Sequence, residues 1–530
     1  MSTPLVTIHD QHHLELKLTH PLEVMPKAGR MFEAWLYFPN SLGIDEPLFR
    51  KEDFYSDLTA YVRFQTPHMS LGALLGSAPA HELPLPDDGA RAGPRLTHRV
   101  LSPFVRLQRY KAEIVGGSQT PMALRELRLL AASFRSVVRD NTRFIVTGLR
   151  FAPLPAARVE HVAAAGQFVA ESGVALGRFR ALRAQLSDAP PDVRVALLSV
   201  DDFLSMHALE GWFLLLRSLK HRGDGLVDAG PVAQTLRAAI SAETAYRVQS
   251  GLLGAPADGP GLNEPYVTRV NQLKKWVMGV LHLRLTTNRR AERARELAFS
   301  VAAAAAMTVA VALQLFALWT VGTPKTPQVA SGTLFAFVAL SVGGYILKDA
   351  IKDRLKTWFQ ARIPRWLFDR RQDLRVPGDP GLAGAAARGG ASFGAVEETV
   401  GRMNAADVPP EVIRVRERDE EALYVQERLE EDVIHYRRKV HLDGARTRAQ
   451  APEMVAITEI LRLNITRWIR RMDDPSRPLS RLDADGNVQQ VEGRKTYRVT
   501  LVMASEGPGG ACRYDKRSIV LTRQGLIRVE

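Results

Sequence analysis

The sequence predicts an α+β membrane protein. It should combine a mixed N-terminal β and helical-bundle region, a transmembrane helical hairpin, and a C-terminal, mainly β domain of sandwich or barrel-like form. Three observations lead there. Two uncharged apolar runs, 299–320 and 329–347, stand eight residues apart. Strand-like alternation gives way to helical periodicity near Thr120, and a Pro-, Gly- and Ala-rich stretch at 377–394 precedes a series of β-branched segments. The expected divisions are a strand-rich region 1–118 with a flexible 76–94 loop, a helical bundle 119–297, the hairpin 298–347, a basic amphipathic segment 348–371, a linker 372–395 and a β-rich domain 396–530.

In the first region the alternating stretches HLELKL (13–18), RMFEAWLYF (30–38) and TAYVRF (59–64) predict strands of a small antiparallel sheet. Pro and Gly break both periodicities across 76–94, and another strand is expected at 104–110. From Thr120, with Pro121 as its first-turn partner, Leu124, Leu127, Leu130 and Phe134 share a helical face. A second helix, about 159–186, aligns Val162, Ala165, Val169, Leu176, Phe179 and Leu186. A third is expected from Ser199, with Asp202 completing a capping box, through Phe203, Met206, Leu209, Trp212, Phe213, Leu216 and Leu219. Two more follow at 231–249 and from Pro265 through Val280, the last expected to run on into the first span.

At ~1.5 Å rise per residue the two apolar runs reach roughly 33 and 28 Å, near the ~30 Å of a hydrocarbon core. Lys274, Lys275, Arg284, Arg289, Arg290, Arg293 and Arg295 precede the first run, and Lys348, Lys352, Arg354, Lys356, Arg362 and Arg365 follow the second. The connection carries only Lys325. This asymmetry predicts both termini on the cytosolic side of a bacterial inner membrane. The single cysteine, Cys512, agrees with a reducing compartment, and MSTPLVTIHDQHH lacks the pattern of a cleaved signal. A formal charge of +14 is compatible with nucleic acid, but no nucleic-acid module accompanies it and much of the excess flanks the apolar runs. The bilayer and its anionic headgroups are therefore the expected partners, nucleic acid is not, and a protein partner or homo-oligomer is left open.

After the second run, Leu347, Ile351, Leu355 and Trp358 repeat at helical spacing beside Lys348, Lys352 and Lys356. Together with Phe359, Arg362, Arg365 and Trp366 they predict an interfacial segment whose lysines, arginines and aromatic rings contact anionic lipid. Beyond the linker, VIRVR (412–416), 423–426, VIHYRRKVH (433–441), KTYRVTLVM (495–503) and RSIVLT (517–522) predict strands. Segment 454–472 fits either helix or strand, with its β-branching favouring strand.

The stretch YILKDAIKDRLKTWF (345–359), with the overall layout, resembles uncharacterised bacterial membrane proteins that have two transmembrane helices and large cytosolic N- and C-terminal domains. The resemblance implies a joint between span and cytosolic domain at 345–356, and no biochemical role.

Motifs for chemistry are sparse. Asp483, Asp485 and Asn487 in DADGN suggest a calcium loop, but Val488 and Arg494 stand where Gly and Glu are needed, so a hairpin turn is the better reading. EGPGG (506–510) lacks the Lys and Ser or Thr of a phosphate loop. His435 and His441 have no nearby third ligand, and the acids at 419–421 and 430–432 are flanked by arginines. No cofactor is expected. The reading these features favour is a membrane-anchored cytosolic interaction, scaffold or sensing protein, and the alternative is a membrane-tethered enzyme of unknown reaction.

Overall fold

Strands from the two ends of the chain interleave in one sheet. The computed structural model describes residues 4–22, 29–39, 42, 49–66, 69–76, 102–152, 154–222, 229–254, 256, 259–287, 300–301, 303–312, 315–316, 319, 338–339, 342–343, 345–355, 368–375, 392–417, 431–444, 447, 454, 456–482, 484, 487–506 and 511–530. The early strands are β1 (Leu5–Asp10), β2 (His13–Pro21), β3 (Arg30–Pro39) and β4 (Leu58–Phe64), with a short helix α1 (Lys51–Asp57) before the last. The later ones are β5 (His282–Thr287), β6 (Arg370–Arg375), β7 (Gly394–Met403), β8 (Glu431–Leu442), β9 (Ala456–Asn464), β12 (Tyr497–Glu506), β13 (Cys512–Thr522) and β14 (Gly525–Val529). A separate hairpin is formed by β10 (Ser476–Leu482) and β11 (Val488–Arg494).

The twelve-stranded order is β1-β2-β9-β4-β5-β6-β7-β8-β3-β12-β13-β14. Its outer strands approach each other: Leu526 N donates to Gln11 O at 2.8 Å, making the sheet a nearly closed barrel. Gly525 permits this seam, because its φ is 139° and a Cβ there would run into the Gln11 carbonyl. Period-two alternation sorts the two faces of β3. Phe32, Ala34, Leu36 and Phe38 join Val499, Leu501 and Met503 of β12 in one core, while Trp35 and Tyr37 pack with Val502 and Val412 in another.

Charges cross the barrel as well. Arg438 of β8 is fully buried and forks onto Glu459 of β9, a strand that is not its neighbour, at 3.0 and 3.1 Å. The same guanidinium pairs with Glu398, which also accepts from Tyr436 Oη at 2.6 Å, and His20 Nε2 lies 3.3 Å from Glu459. Burial works to raise the Glu459 pKa, yet Arg438 and His20 bring it down to about 2.

The helices form a layer against this sheet: α2 (Leu71–Leu74), α3 (Pro103–Arg109), α4 (Lys111–Val115), α5 (Thr120–Phe151), α6 (Pro155–Gln185), α7 (Pro191–Arg222), α8 (Ala229–Gln249) and α9 (Glu264–Met278). Their core extends into the sheet through Val62, Phe64, Leu283, Leu374 and Val396. Ion pairs bind the bundle, with Asp202 between Arg247 and Arg269 at 2.8 Å each, and Glu243 held by Arg180 and Ser205 at 2.5 Å.

The structure corrects several expectations. Residues 104–109 of the expected strand are helical because Ser102 Oγ accepts from Val105 N at 3.1 Å and Pro103 opens the turn, and Tyr110 caps the helix end. Helix α7 begins at Pro191, so Ser199 and Asp202 are interior and Asp202 serves Arg247 and Arg269 rather than a cap. Helix α9 stops at Met278 and the chain turns into β5, so it does not continue into the first apolar run. VIRVR lies in the helix Pro410–Glu417, started by its proline and burying Val412. Segment 454–472 is divided between β9 and the short helix Thr466–Ile469. The expected 76–94 loop, apart from Gly76, and the 423–426 strand lie outside the described residues.

The largest correction concerns the hairpin. Among the described residues no helix is long and apolar enough to cross a membrane. An uncharged run satisfies a length criterion, but these runs draw heavily on Ala and Gly, whose small apolar surface serves helix packing as readily as lipid. In the helical residues 303–312, Ala306 and Ala310, one turn apart, are buried while Met307, Val309 and Val311 are exposed. The transmembrane hairpin, the bilayer and anionic-headgroup partners, the inner-membrane location and the membrane-anchored or membrane-tethered functions therefore lose their basis. So does the expected fold class. A mixed α/β fold around one nearly closed sheet replaces a hairpin flanked by separate β regions. Residues 299, 302, 320–337 and several others of the two runs lie outside the described residues.

Candidate anion-binding cavity

Helices α5 and α7 pack closely at Gly211, where a Cβ would lie 2.9 Å from Val138 Cγ1 and 3.0 Å from Thr142 Oγ1. Around this contact lies a cavity of about 620 Å³, a size suited to a metabolite. From α5 it takes Arg135, Arg139, Thr142, Arg143, Val146 and Arg150, positions that recur at helical spacing on the face beside α7. From α7 come His207, Glu210, Gly211, Leu214, Arg217 and Ser218, again at spacings of three and four.

Five arginines thus surround the cavity with one carboxylate among its lining residues. Arg139 pairs with Asp140 at 2.8 Å, and Arg150 lies over the Phe151 ring. Arg135 reaches the Met278 sulfur at 3.8 Å instead of a carboxylate. Among the described residues Arg143 and Arg217 have no acidic partner, and both are exposed at the rim. Burial and then repulsion from Arg139 push the Arg135 guanidinium below its ordinary pKa, with Glu210 opposing. Arginine nevertheless stays charged, so the result is a strongly positive cavity.

Two polar groups refine the chemistry. Thr142 is 4% exposed, and its Oγ1 has no hydrogen-bond partner although it lines the cavity. His207 Nδ1 lies 2.9 Å from Glu210 Oε2, and this bond leads the forces holding Glu210 below the usual carboxylate range, followed by Arg135 and Lys274 against burial. Oxyanions suit the arginines, since a guanidinium offers paired donors matched to carboxylate or phosphate oxygens.

The residues singled out by sequence lie elsewhere. Lys348 and Lys352 belong to the helical residues 345–355, with Lys348 over the Tyr345 ring at 3.9 Å; Lys356, Trp358, Phe359, Arg362, Arg365 and Trp366 are outside the described residues. His435 stacks on Trp35 at 4.9 Å and faces Glu33, whereas His441 faces Glu397, so each has its own carboxylate. No group of three or more metal-ligating side chains occurs among the described residues. Asp483 and Asp485 lie outside them, but Leu482 pairs with Val488 across the intervening turn. Gly507–Gly510 lies outside them too, between the paired ends Glu506 and Cys512 of β12 and β13. Of the acids, Glu431 and Asp432 pair with Arg416 and Arg402. The arginine row on α5 was visible as Arg135, Arg139 and Arg143 at i, i+4 and i+8, yet such rows are usually solvated faces. Its facing partner, Arg217, required the fold.

Comparisons with protein-family models, curated proteins and solved structures find no match. The resemblance to bacterial proteins with two transmembrane helices thus has no support from relatives, and it falls with the hairpin that carried it.

Proposed function

We propose that this protein binds a small, multiply charged oxyanion with an apolar portion in the cavity between α5 and α7. The observation that carries this reading is the excess of arginine over carboxylate around one cavity, with the Thr142 hydroxyl buried and partnerless at its floor. Elsewhere in the bundle, arginines have carboxylates placed directly on them, as Arg247 and Arg269 have Asp202, and Arg180 and Arg183 have Asp201. Here a ligand completes the set. Its oxygens take the guanidinium donors and the Thr142 hydroxyl, while Val138, Val146 and Leu214 cover its apolar part.

Isothermal titration of the full chain with pyrophosphate, ATP and citrate tests the reading. At least one should bind at micromolar to low millimolar concentration, and the double variant Arg143→Ala, Arg217→Ala should weaken it by tenfold or more, about 1.4 kcal/mol. Absence of binding by all three, or binding indifferent to the double variant, rejects the cavity as the site.

A further inference from the structure

We propose that the cavity takes a nucleotide with an exocyclic amine on its base, laid along the helices with its phosphate among Arg143, Arg217 and Ser218 and its amine against the Glu210 carboxylate. The inference rests on the cavity being the anion site and adds which anion enters and which way it lies.

The direction follows from how the helices run. A short connection folds α6 back on α5, where Phe144 meets the His161 ring at 4.9 Å. Helix α7 reverses again on α6: Trp212 Nε1 donates to Ser172 Oγ at 2.9 Å, and Arg180 Nε donates to Asp201 at 3.1 Å. Helices α5 and α7 are therefore parallel, and Gly211 of α7 is level with Val138 to Thr142 of α5. This registry divides the cavity lining. Arg135, Arg139, His207 and Glu210 lie at one end. Arg143, Arg150, Arg217 and Ser218 lie toward the other, with Thr142 and Leu214 between.

The two ends differ in charge. At the first, Arg139 has Asp140 at 2.8 Å, and Glu210 brings a carboxylate to the lining. His207 Nδ1 occupies Glu210 Oε2 at 2.9 Å, and Oε1 has no bond among the described residues. At the second end Arg143 and Arg217 have no acidic partner among the described residues, and Ser218 adds a hydroxyl. An anion is drawn to the second end and a hydrogen-bond donor to the first. Seven residues of helix separate Glu210 from Arg217, which is about 10 Å along the axis.

A phosphate and an amine that far apart, joined by a body with an apolar face, describe a nucleotide better than a short aminoalkyl phosphate. Leu214 and Val138 cover the rings, and Thr142 Oγ1, buried and partnerless midway, meets a sugar hydroxyl. A carboxylate accepts from the amine of adenine or cytosine and repels the carbonyl oxygen that takes its place in hypoxanthine or uracil.

The test titrates the full chain with AMP, IMP and pyrophosphate, alone and with Glu210→Gln, a change on an exposed side chain of α7. AMP should bind about five- to tenfold more tightly than IMP, the low end of base discrimination because the contact is partly solvated. Glu210→Gln should abolish or reverse that preference, since its amide can donate to the hypoxanthine oxygen. Equal binding of AMP and IMP, or a preference that survives Glu210→Gln, overturns the nucleotide assignment. If pyrophosphate still binds and is lost with Arg143→Ala and Arg217→Ala, the cavity reading stands without it. No binding by any of these anions, or by ATP and citrate, removes both.

Discussion

The barrel interior and the α5–α7 cavity each gather arginines, but they treat them in opposite ways. Inside the barrel, Arg438 is wholly buried and meets Glu398 and Glu459, with Tyr436 and His20 completing the set. Around the cavity, Arg135, Arg139, Arg143, Arg150 and Arg217 face Glu210 alone among the lining carboxylates. A buried charge with its partners in place is part of the fold. A partly solvated excess of one sign raises the energy of the empty state slightly and lowers that of a complex, so it belongs to binding.

The largest effect expected from this contrast is on stability. Arg438→Met should cost about 3–5 kcal/mol, because it leaves Glu398 and Glu459 buried without their counterion; chemical denaturation measures it, and a cost below ~1 kcal/mol would remove the contrast. Next is the response to ligand: if pyrophosphate fills the cavity, a concentration near 100 times its Kd should add about 2.7 kcal/mol at 25 °C. A matched concentration of sodium chloride should not reproduce that gain in a denaturant titration.

Gly211→Ala should lower stability by about 1–3 kcal/mol, since its Cβ lies 2.9 Å from Val138 and would force α5 from α7. The smallest effect belongs to the rim, where Arg143→Ala with Arg217→Ala should change stability by about 0.5 kcal/mol or less in either direction while abolishing most anion affinity. A large destabilisation would class those arginines with Arg438.

Acid titration sharpens the same comparison. Glu459 is held down to about 2 in the folded chain against an ordinary 4.5. Its stabilisation is therefore fully present above about pH 4.5 and disappears as pH falls through about 2. Glu459→Gln should flatten that part of the stability profile measured by denaturation at fixed pH, and an unchanged profile would show that the barrel pair does not set it.

How much of this was legible depended on the range of the interaction. Strands β2, β3, β4, β8 and β12 were readable from alternation because each presents opposite faces to different surroundings, as Phe38 and Tyr37 do. Helices α5, α6 and α8 were readable from their buried stripes. Segments decided by caps and prolines were misjudged where β-branching was given more weight, at 104–110 and 412–416. The pairing of β2 with β9 and of β3 with β12 joins residues hundreds of positions apart, which no local pattern records. The same holds for the cavity, whose α5 half is a simple helical row and whose meaning comes from α7.

That interleaved sheet imposes an order on biosynthesis. Strands β2 and β4 find their common neighbour, β9, only when residues 456–464 have left the ribosome, and β3 waits for β8 and β12. Helices α5 to α8 need no such delay, because their mutual contacts lie within residues 120–249. During translation the bundle can condense first while the apolar faces of β2, β3 and β4 stay unpaired, a long-lived set of sticky edges that makes the nascent chain a natural client for chaperones.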